Sequence, residues 1–270
     1  MSRTRETHSD RSRFSNIASS VRVTLKRLGW LHALLWSTAS IGRRFCTHIF
    51  VVALHPIDED EGRDDPNAVG LEGHVLTPDE VLGFFNRSEG YSYSRAFASD
   101  ALARGDRCFG LFEDERLVWY CWYARESAPV FDDVDVVSEF PFLYAYNAHT
   151  DAAHRGRGLH RIGVVASGRF FAREGYRAIT AYMEAHNLPP LIAARAMGER
   201  FVGFVVLRRG THRVRWFATR GCRDAGFRIQ PRSSEASLPW AADERGEPTL
   251  GHQRKPVGVL NRNHPSASAR

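Results

Sequence analysis

A mixed α/β domain is what this 270-residue sequence predicts. Three observations carry that expectation. Residues 107–112 and 117–124 are aromatic and β-branched runs around the polar turn Glu113-Asp114-Glu115-Arg116, the pattern of a β-hairpin. Residues 201–207 and 214–218 repeat the pattern around Arg208-Arg209-Gly210. Between the two hairpins, a strand at 142–150, a helical stripe from Leu159 and a strand at 177–183 make one strand-helix-strand crossover, which sets two parallel strands side by side.

Taken from the start, residues 1–13 are polar and basic and are expected to be disordered. From Phe14, apolar residues recur at Ile17, Val21, Leu25, Leu28, Leu31 and Leu35, spacings of three and four that draw one helical stripe. Such a basic helix, with Trp30 and Trp36, suits either its own domain, the commoner fate, or an anionic membrane surface. Residues 48–54 read as the first strand, and the acidic run 58–65 as a solvated loop. At Thr77-Pro78-Asp79-Glu80 an N-cap Thr, a Pro at the first helical position and a Glu three residues after the cap start a helix through Phe85. A second helix is expected from Ser94 to Ala103. The stripe Leu159, Ile162, Ala166 and Phe170 stops at Gly175, and Pro190 opens a helix ending near Gly198. After Phe227, Pro, Ser, Arg and Gly dominate without period. The expected division is a basic arm with an amphipathic helix at 1–44, one domain at 45–228 and a disordered tail at 229–270.

Hydrophobic residues make up 43% and charged residues 25%, a globular balance that excludes a wholly disordered, collagen-like or multi-spanning membrane chain. The net charge of +6 is uneven: residues 1–44 hold nine Lys/Arg against two acids, while 66–230 come to only +2. The high isoelectric point therefore belongs to the arm, and the core gives no reason to expect a specific nucleic-acid partner. Four cysteines without a C-x-x-C pair specify neither zinc site nor disulfide framework, which points to a reducing, cytoplasmic setting. The apolar stretch 28–41 is shorter than the roughly 20 residues a spanning helix needs.

The residues most informative about chemistry lie where the 142–150 strand meets its helix. Gly156 and Gly158 let backbone N–H groups turn toward one point at a helix N-terminus, where unpaired donors and partial positive charge favour a phosphate. Arg155 and Arg157 add charge, and a pyrophosphate suits this better than a carboxylate. No G-x-x-x-x-G-K-[ST] is present and G-x-G-x-x-G fails at Arg161, which removes the nucleotide triphosphatase and dinucleotide readings.

Arg155-Gly156-Arg157-Gly158-Leu159-His160 resembles the R-x-x-G-x-G/A loop of the GNAT superfamily of acyl-CoA-dependent N-acyltransferases. A second block, Asn187 followed by a helix through Ala194 and Met197 to Gly198 and the hairpin from Phe201, resembles the same family. The resemblance implies a largely antiparallel sheet with a central parallel strand pair flanked by helices. It implies acetyl-CoA, or another acyl-CoA, as co-substrate: pantetheine along Ala148, His149 and Thr150, pyrophosphate on the amides of residues 155–160, and Asn187 beside the pantetheine arm. The implied reaction is direct attack by a primary amine on the acyl group, the acceptor being a small molecule or peptide.

The chain departs from the family pattern at His160, where Gly or Ala is usual, at Thr150-Asp151-Ala152 in place of Val-x-Pro, and at Ala194, where many members carry a Tyr acid. These departures motivate the alternative of a catalytically inactive CoA-binding or regulatory module. An attacking ammonium must lose a proton. Glu184, at the end of the strand beside the expected site, is the leading base, with His186 near it. Tyr182 or Tyr146 would orient a water or serve as acid, Tyr182 being the catalytic candidate beside Glu184. His149, His154 and His160 are too irregularly spaced to specify a metal site, and none is expected.

Overall fold

A computed structural model describes residues 26–42, 47–57, 66–86, 94–131, 133–210 and 214–232. In chain order it forms α1 (Trp30–Gly42), β1 (Thr47–Pro56), β2 (Glu72–Val75), α2 (Pro78–Asn86), α3 (Arg95–Ala103), β3 (Arg107–Glu113) and β4 (Arg116–Ala124). There follow β5 (Ser127–Phe131), β6 (Val134–Ser138), β7 (Phe142–Thr150), α4 (Leu159–Ala172), β8 (Ala178–Glu184) and α5 (Leu188–Ala196). The last elements are β9 (Arg200–Arg209), β10 (Val214–Ala218), α6 (Arg220–Asp224) and β11 (Phe227–Pro231). Eight strands make one sheet in the order β10-β9-β1-β8-β7-β4-β3-β2, and β11-β6-β5 make a second. Every pairing in the large sheet is antiparallel except β7 with β8. The mixed, largely antiparallel sheet with its central parallel pair is therefore present.

Local chemistry explains the elements that were legible in advance. At α2, the Thr77 hydroxyl accepts from the Glu80 N–H at 3.3 Å and the Glu80 carboxylate accepts from the Thr77 N–H at 2.7 Å, a reciprocal cap. Thr77→Ala is expected to lower stability by about 1 kcal/mol, read as a shift of the urea midpoint. The Ser94 side chain accepts from the Phe97 N–H and starts α3. Asp114 and Glu115 both take positive φ, 47° and 63°, the two-residue turn whose twist suits a hairpin.

β4 is buried on both faces, which is why it reads as an unbroken aromatic run. Trp119, Cys121 and Tyr123 face α4 together with Leu143, Leu159, Val164, Phe171 and Ile179. Tyr120 and Trp122 face the other way. There Phe50, Val52, Tyr144 and Tyr146 are covered by Phe85 and Phe97 of α2 and α3, and by Val130, Val134, Val136 and Phe227 of the small sheet.

Several expectations change. The predicted stripe begins at Phe14, but residues 14–25 lie outside the described residues. Helical backbone at residues 26–28 breaks at Gly29, φ 89°, and α1 continues to Gly42. Leu28, Leu35 and Ala39 pack on Ile49, Val51 and Leu191, whereas Leu31 is exposed. The β2, β5, β6 and β11 strands were not anticipated. β11 pairs with β6 and carries regular structure through Pro231, past the residue 228 boundary. The acidic run 58–65 and residues 233–270 lie outside the described residues.

Candidate functional site

The parallel register of β7 and β8 is short: Phe142, Leu143 and Tyr144 lie opposite Ala178, Ile179 and Thr180. Beyond Tyr144 the two strands have no further register, although β7 runs on to Thr150 and β8 to Glu184. The strands splay. Part of the cause lies in β7 itself, where the register with β4 shifts between Tyr120 and Trp122 and Asn147 takes φ 53°. A bulge of this kind bends the bulged strand, and Asn tolerates the left-handed region.

At the C-terminal end of β7 the chain enters the glycine loop. The Asp151 carboxylate accepts from the Ala153 N–H at 2.8 Å and from Arg116 at 2.7 Å. Burial raises the Asp151 pKa, but hydrogen bonds from His154, the Ala153 amide and Arg116 outweigh it and hold the carboxyl at about 2. Gly156 and Gly158 adopt φ 82° and 76°, and a Cβ at either would meet nothing within 4 Å. Their glycines answer a backbone requirement and not a steric one. The first bond of α4 runs from the Ile162 N–H to the Gly158 carbonyl at 3.2 Å. The N–H groups of Gly158, Leu159 and His160 therefore precede the helical ladder, and among the described residues none of them meets a backbone acceptor. The Gly158 cap has no side-chain hydrogen bond and the loop is exposed. Amides that precede the helical ladder are the donors that anion sites use.

The cations around this loop divide. Arg155 donates to the Thr150 carbonyl at 3.3 Å, and among the described residues no carboxylate pairs with it. Arg157 instead grips Glu113 at 2.9 and 2.6 Å, so its charge is offset and it braces the loop against the β3–β4 turn. Its expected role as free charge beside a phosphate is corrected accordingly. The His160 Nδ1 accepts from Trp119 Nε1 at 3.2 Å, and burial lowers its pKa. His154 lies against Glu113 and Asp151, and the His149 ring stacks on Tyr120. The three histidines thus face different partners.

On the other side of the splay, β8 ends in Glu184, 8% exposed and held between two imidazoles. His48 Nδ1 lies 3.3 Å from one carboxylate oxygen and His186 Nε2 3.0 Å from the other. His48, from the start of β1, had no sequence signal beyond membership of an apolar strand. Tyr182 lies in an aromatic group: its ring stacks on Tyr144 at 6.1 Å and meets Phe50 edge-on at 4.7 Å. Its hydroxyl bonds that of Tyr144. Tyr146 is engaged elsewhere, donating to Asp106 at 2.6 Å, and burial pushes its pKa well up. Asn187 stands at the N-cap of α5 with no side-chain cap bond, its N–H donating to the Glu184 carbonyl at 2.9 Å. Ala148 is exposed at the end of β7 and Ala194 is buried in α5. The C-terminal ends of β7 and β8 thus bring Ala148, His149, Thr150, the glycine loop, Glu184 and Asn187 to one edge of the sheet.

One residue near this region was missed. Glu199, between α5 and β9, is 8% exposed, and burial alone pushes its carboxyl up to about 7. Its charge also reaches the buried Cys121 thiol, which burial pushes up to about 12. Nothing local marks a glutamate for burial; only the packing does. Because the folded pKa lies above the unfolded one, the native state holds the proton longer, and stability falls as pH rises from about 4.5 to about 7. Glu199→Gln is expected to remove that slope and to be the more stable protein at pH 8 by roughly 3 kcal/mol, read from urea melts at pH 5 and 8.

No family model and no curated protein matches the chain. Solved structures that resemble it include several acetyltransferases, some of them of the GNAT family. They include a GCN5-related N-acetyltransferase from Sphaerobacter thermophilus, at 12% identity over 76% of this chain and 57% of that one, TM-score 0.41. A GNAT-family acetyltransferase from Colwellia psychrerythraea matches at 11% identity over 59% and 55%, TM-score 0.41. An aminoglycoside acetyltransferase from an uncultured soil sample matches at 11% over 48% and 88%, TM-score 0.38. The chain spans little more than half the length of the first two. Similarity at this level concerns the arrangement of strands and helices and not the chemistry of the site.

Proposed function

We propose that the chain is an acyl-CoA-dependent N-acyltransferase, acetyl transfer to a primary amine being the leading form. The observation that carries this reading is the set of amides at Gly158, Leu159 and His160 that, among the described residues, meet no backbone acceptor, opening α4 beside a splayed parallel strand pair. Donors so placed suit a pyrophosphate, and Arg155 brings a cation that, among the described residues, no carboxylate pairs with. Ala148, His149 and Thr150, on the part of β7 that β8 has left, would hold the pantetheine, with Asn187 across the gap. The co-substrate supplies the acyl group as a thioester, and the rest of the work falls to the protein. Glu184 accepts the proton that an attacking ammonium must lose, while His48 and His186 hold its two oxygens and give the proton a route outward. The Tyr182 and Tyr144 hydroxyls form a linked pair on the same face of the sheet.

Calorimetry with CoA on the wild type and on Gly158→Trp tests the binding half. An indole at Gly158 starts in open space, so it blocks the loop mouth without entering the core, at a backbone cost of about 1–2 kcal/mol for positive φ. CoA affinity is expected to fall at least about tenfold. Equal affinity in both proteins would remove the reading. For the chemical half, Glu184→Gln is expected to lower amine-dependent thiol release from acetyl-CoA by about 100-fold or more while CoA still binds. A rise in melting temperature with CoA, without thiol release over a panel of amines, amino sugars and peptides, would instead favour the inactive CoA-binding module.

A further inference from the structure

The α1 helix is amphipathic in an unusual sense: the face turned away from the domain is apolar too. Its inner face is satisfied by Ala33, Leu35, Trp36 and Ala39, and Trp36 Nε1 donates to the His186 carbonyl at 3.1 Å. Its outer face carries Trp30, Leu31, Leu34 and Ile41, which are 73%, 45%, 58% and 62% exposed. The hydroxyls among them do little to hydrate that face, because Ser37, Thr38 and Ser40 each donate back to a helix carbonyl one turn earlier. Phe217 of β10 extends the same side. It lies opposite Val206, which packs beneath α1, and is 60% exposed.

The elements that build this side, α1, α5, β9 and β10, contain no Asp or Glu. They bring Arg195, Arg208 and Arg215, all exposed, and Lys26 and Arg27 stand exposed just before α1. An apolar ridge edged by cations matches a surface that is negatively charged outside and apolar a few ångströms in, as an anionic bilayer is. The ridge is a convex helix face and not a groove, which suits a deformable lipid surface better than a folded partner.

We propose that the outer face of α1, with Phe217, docks the protein on anionic membrane, α1 lying in the interface and not crossing it. Among the described residues no helix is long and apolar enough to cross. This docking would set the sheet edge holding Glu184 and Asn187 close to the lipid, since Trp36 ties α1 to the turn between them.

The test is flotation of the full chain with vesicles of phosphatidylglycerol and phosphatidylcholine, against phosphatidylcholine alone. The wild type is expected to float with the anionic vesicles, to float poorly with the neutral ones, and to be released as salt rises. Trp30→Ser combined with Leu34→Ser removes exposed side chains only, so melting temperature is expected to hold while vesicle partitioning falls at least about tenfold. Lys26→Glu with Arg27→Glu, also fully surface changes, is expected to weaken binding to anionic vesicles without affecting thermal stability. No flotation of the wild type overturns the proposal. So does flotation unchanged in the Trp30/Leu34 variant, which would assign binding to residues 1–25. A concentration-dependent dimer in sedimentation that the same variant dissolves, with no flotation, overturns it in favour of a second copy on this face.

Discussion

Gly163→Ala is expected to be among the most damaging single methyl additions in the protein, lowering stability by about 3 kcal/mol or more in urea unfolding. A Cβ at Gly163 would lie 2.3 Å from two atoms of the six-membered ring of Trp119, closer than atoms can approach. Trp119 cannot step aside: it is fully buried, it lies in the cluster with Leu159 and Val164, and its Nε1 donates to His160. Relief must come from lifting α4 off the sheet.

 The N–H groups of Gly158 and Leu159 shift with the helix, so CoA affinity is expected to weaken along with stability. Gly168 is the control on the same helix. A Cβ there meets Ile57 at 3.6 Å, an ordinary contact, and Gly168→Ala is expected to be neutral or to stabilise by up to about 1 kcal/mol through helix propensity.

Arg104→Met is expected to cost about 3–5 kcal/mol at pH 7, because it strands a buried carboxylate. Asp106 is 4% exposed, and its Oδ2 accepts from Arg104 Nη2 at 2.7 Å, from Arg104 Nε at 3.1 Å and from the Tyr146 hydroxyl at 2.6 Å. Burial already raises the Asp106 pKa, against the pull of Arg104 and Tyr146. Without Arg104 it rises further above the unfolded value. The penalty is then present where the unfolded chain is ionised, and fades as pH falls below about 4, where both states are protonated. The variant is therefore expected to lose its deficit relative to wild type in urea melts at pH 3.5 compared with pH 7. Arg104→Met with Asp106→Leu is expected to recover most of the loss, since the uncompensated charge is gone. The network joins α3 to β7, so its loss also loosens the strand that carries Ala148 to Thr150.

Legibility in the sequence followed the range of the interactions. Thr77 and Glu80 are three residues apart, and the reciprocal cap they form could be read from spacing alone. The glycine loop is equally local: positive φ at Gly156 and Gly158 and an open helix start need only the next few residues. The small sheet was missed because β5 contains Pro129, and β6 finds one of its two partners in β11, far along the chain. The alternation of Val134, Val136 and Ser138 with Asp135 and Val137 was a usable signal, but without β11 it suggested no sheet to join.

The site divides in the same way. Sequence alone determined where the glycine turn and the open helix start fall and which strand leads to them, because turn conformation and helix ends are set by neighbouring residues. Tertiary structure decided which charges remain available: Glu113 neutralises Arg157, while among the described residues no carboxylate pairs with Arg155. It also set Glu184 between His48 and His186, buried Glu199, and turned four large apolar side chains of α1 outward. Burial and charge pairing depend on residues brought together from distant parts of the chain, and no local spacing records which of them will meet.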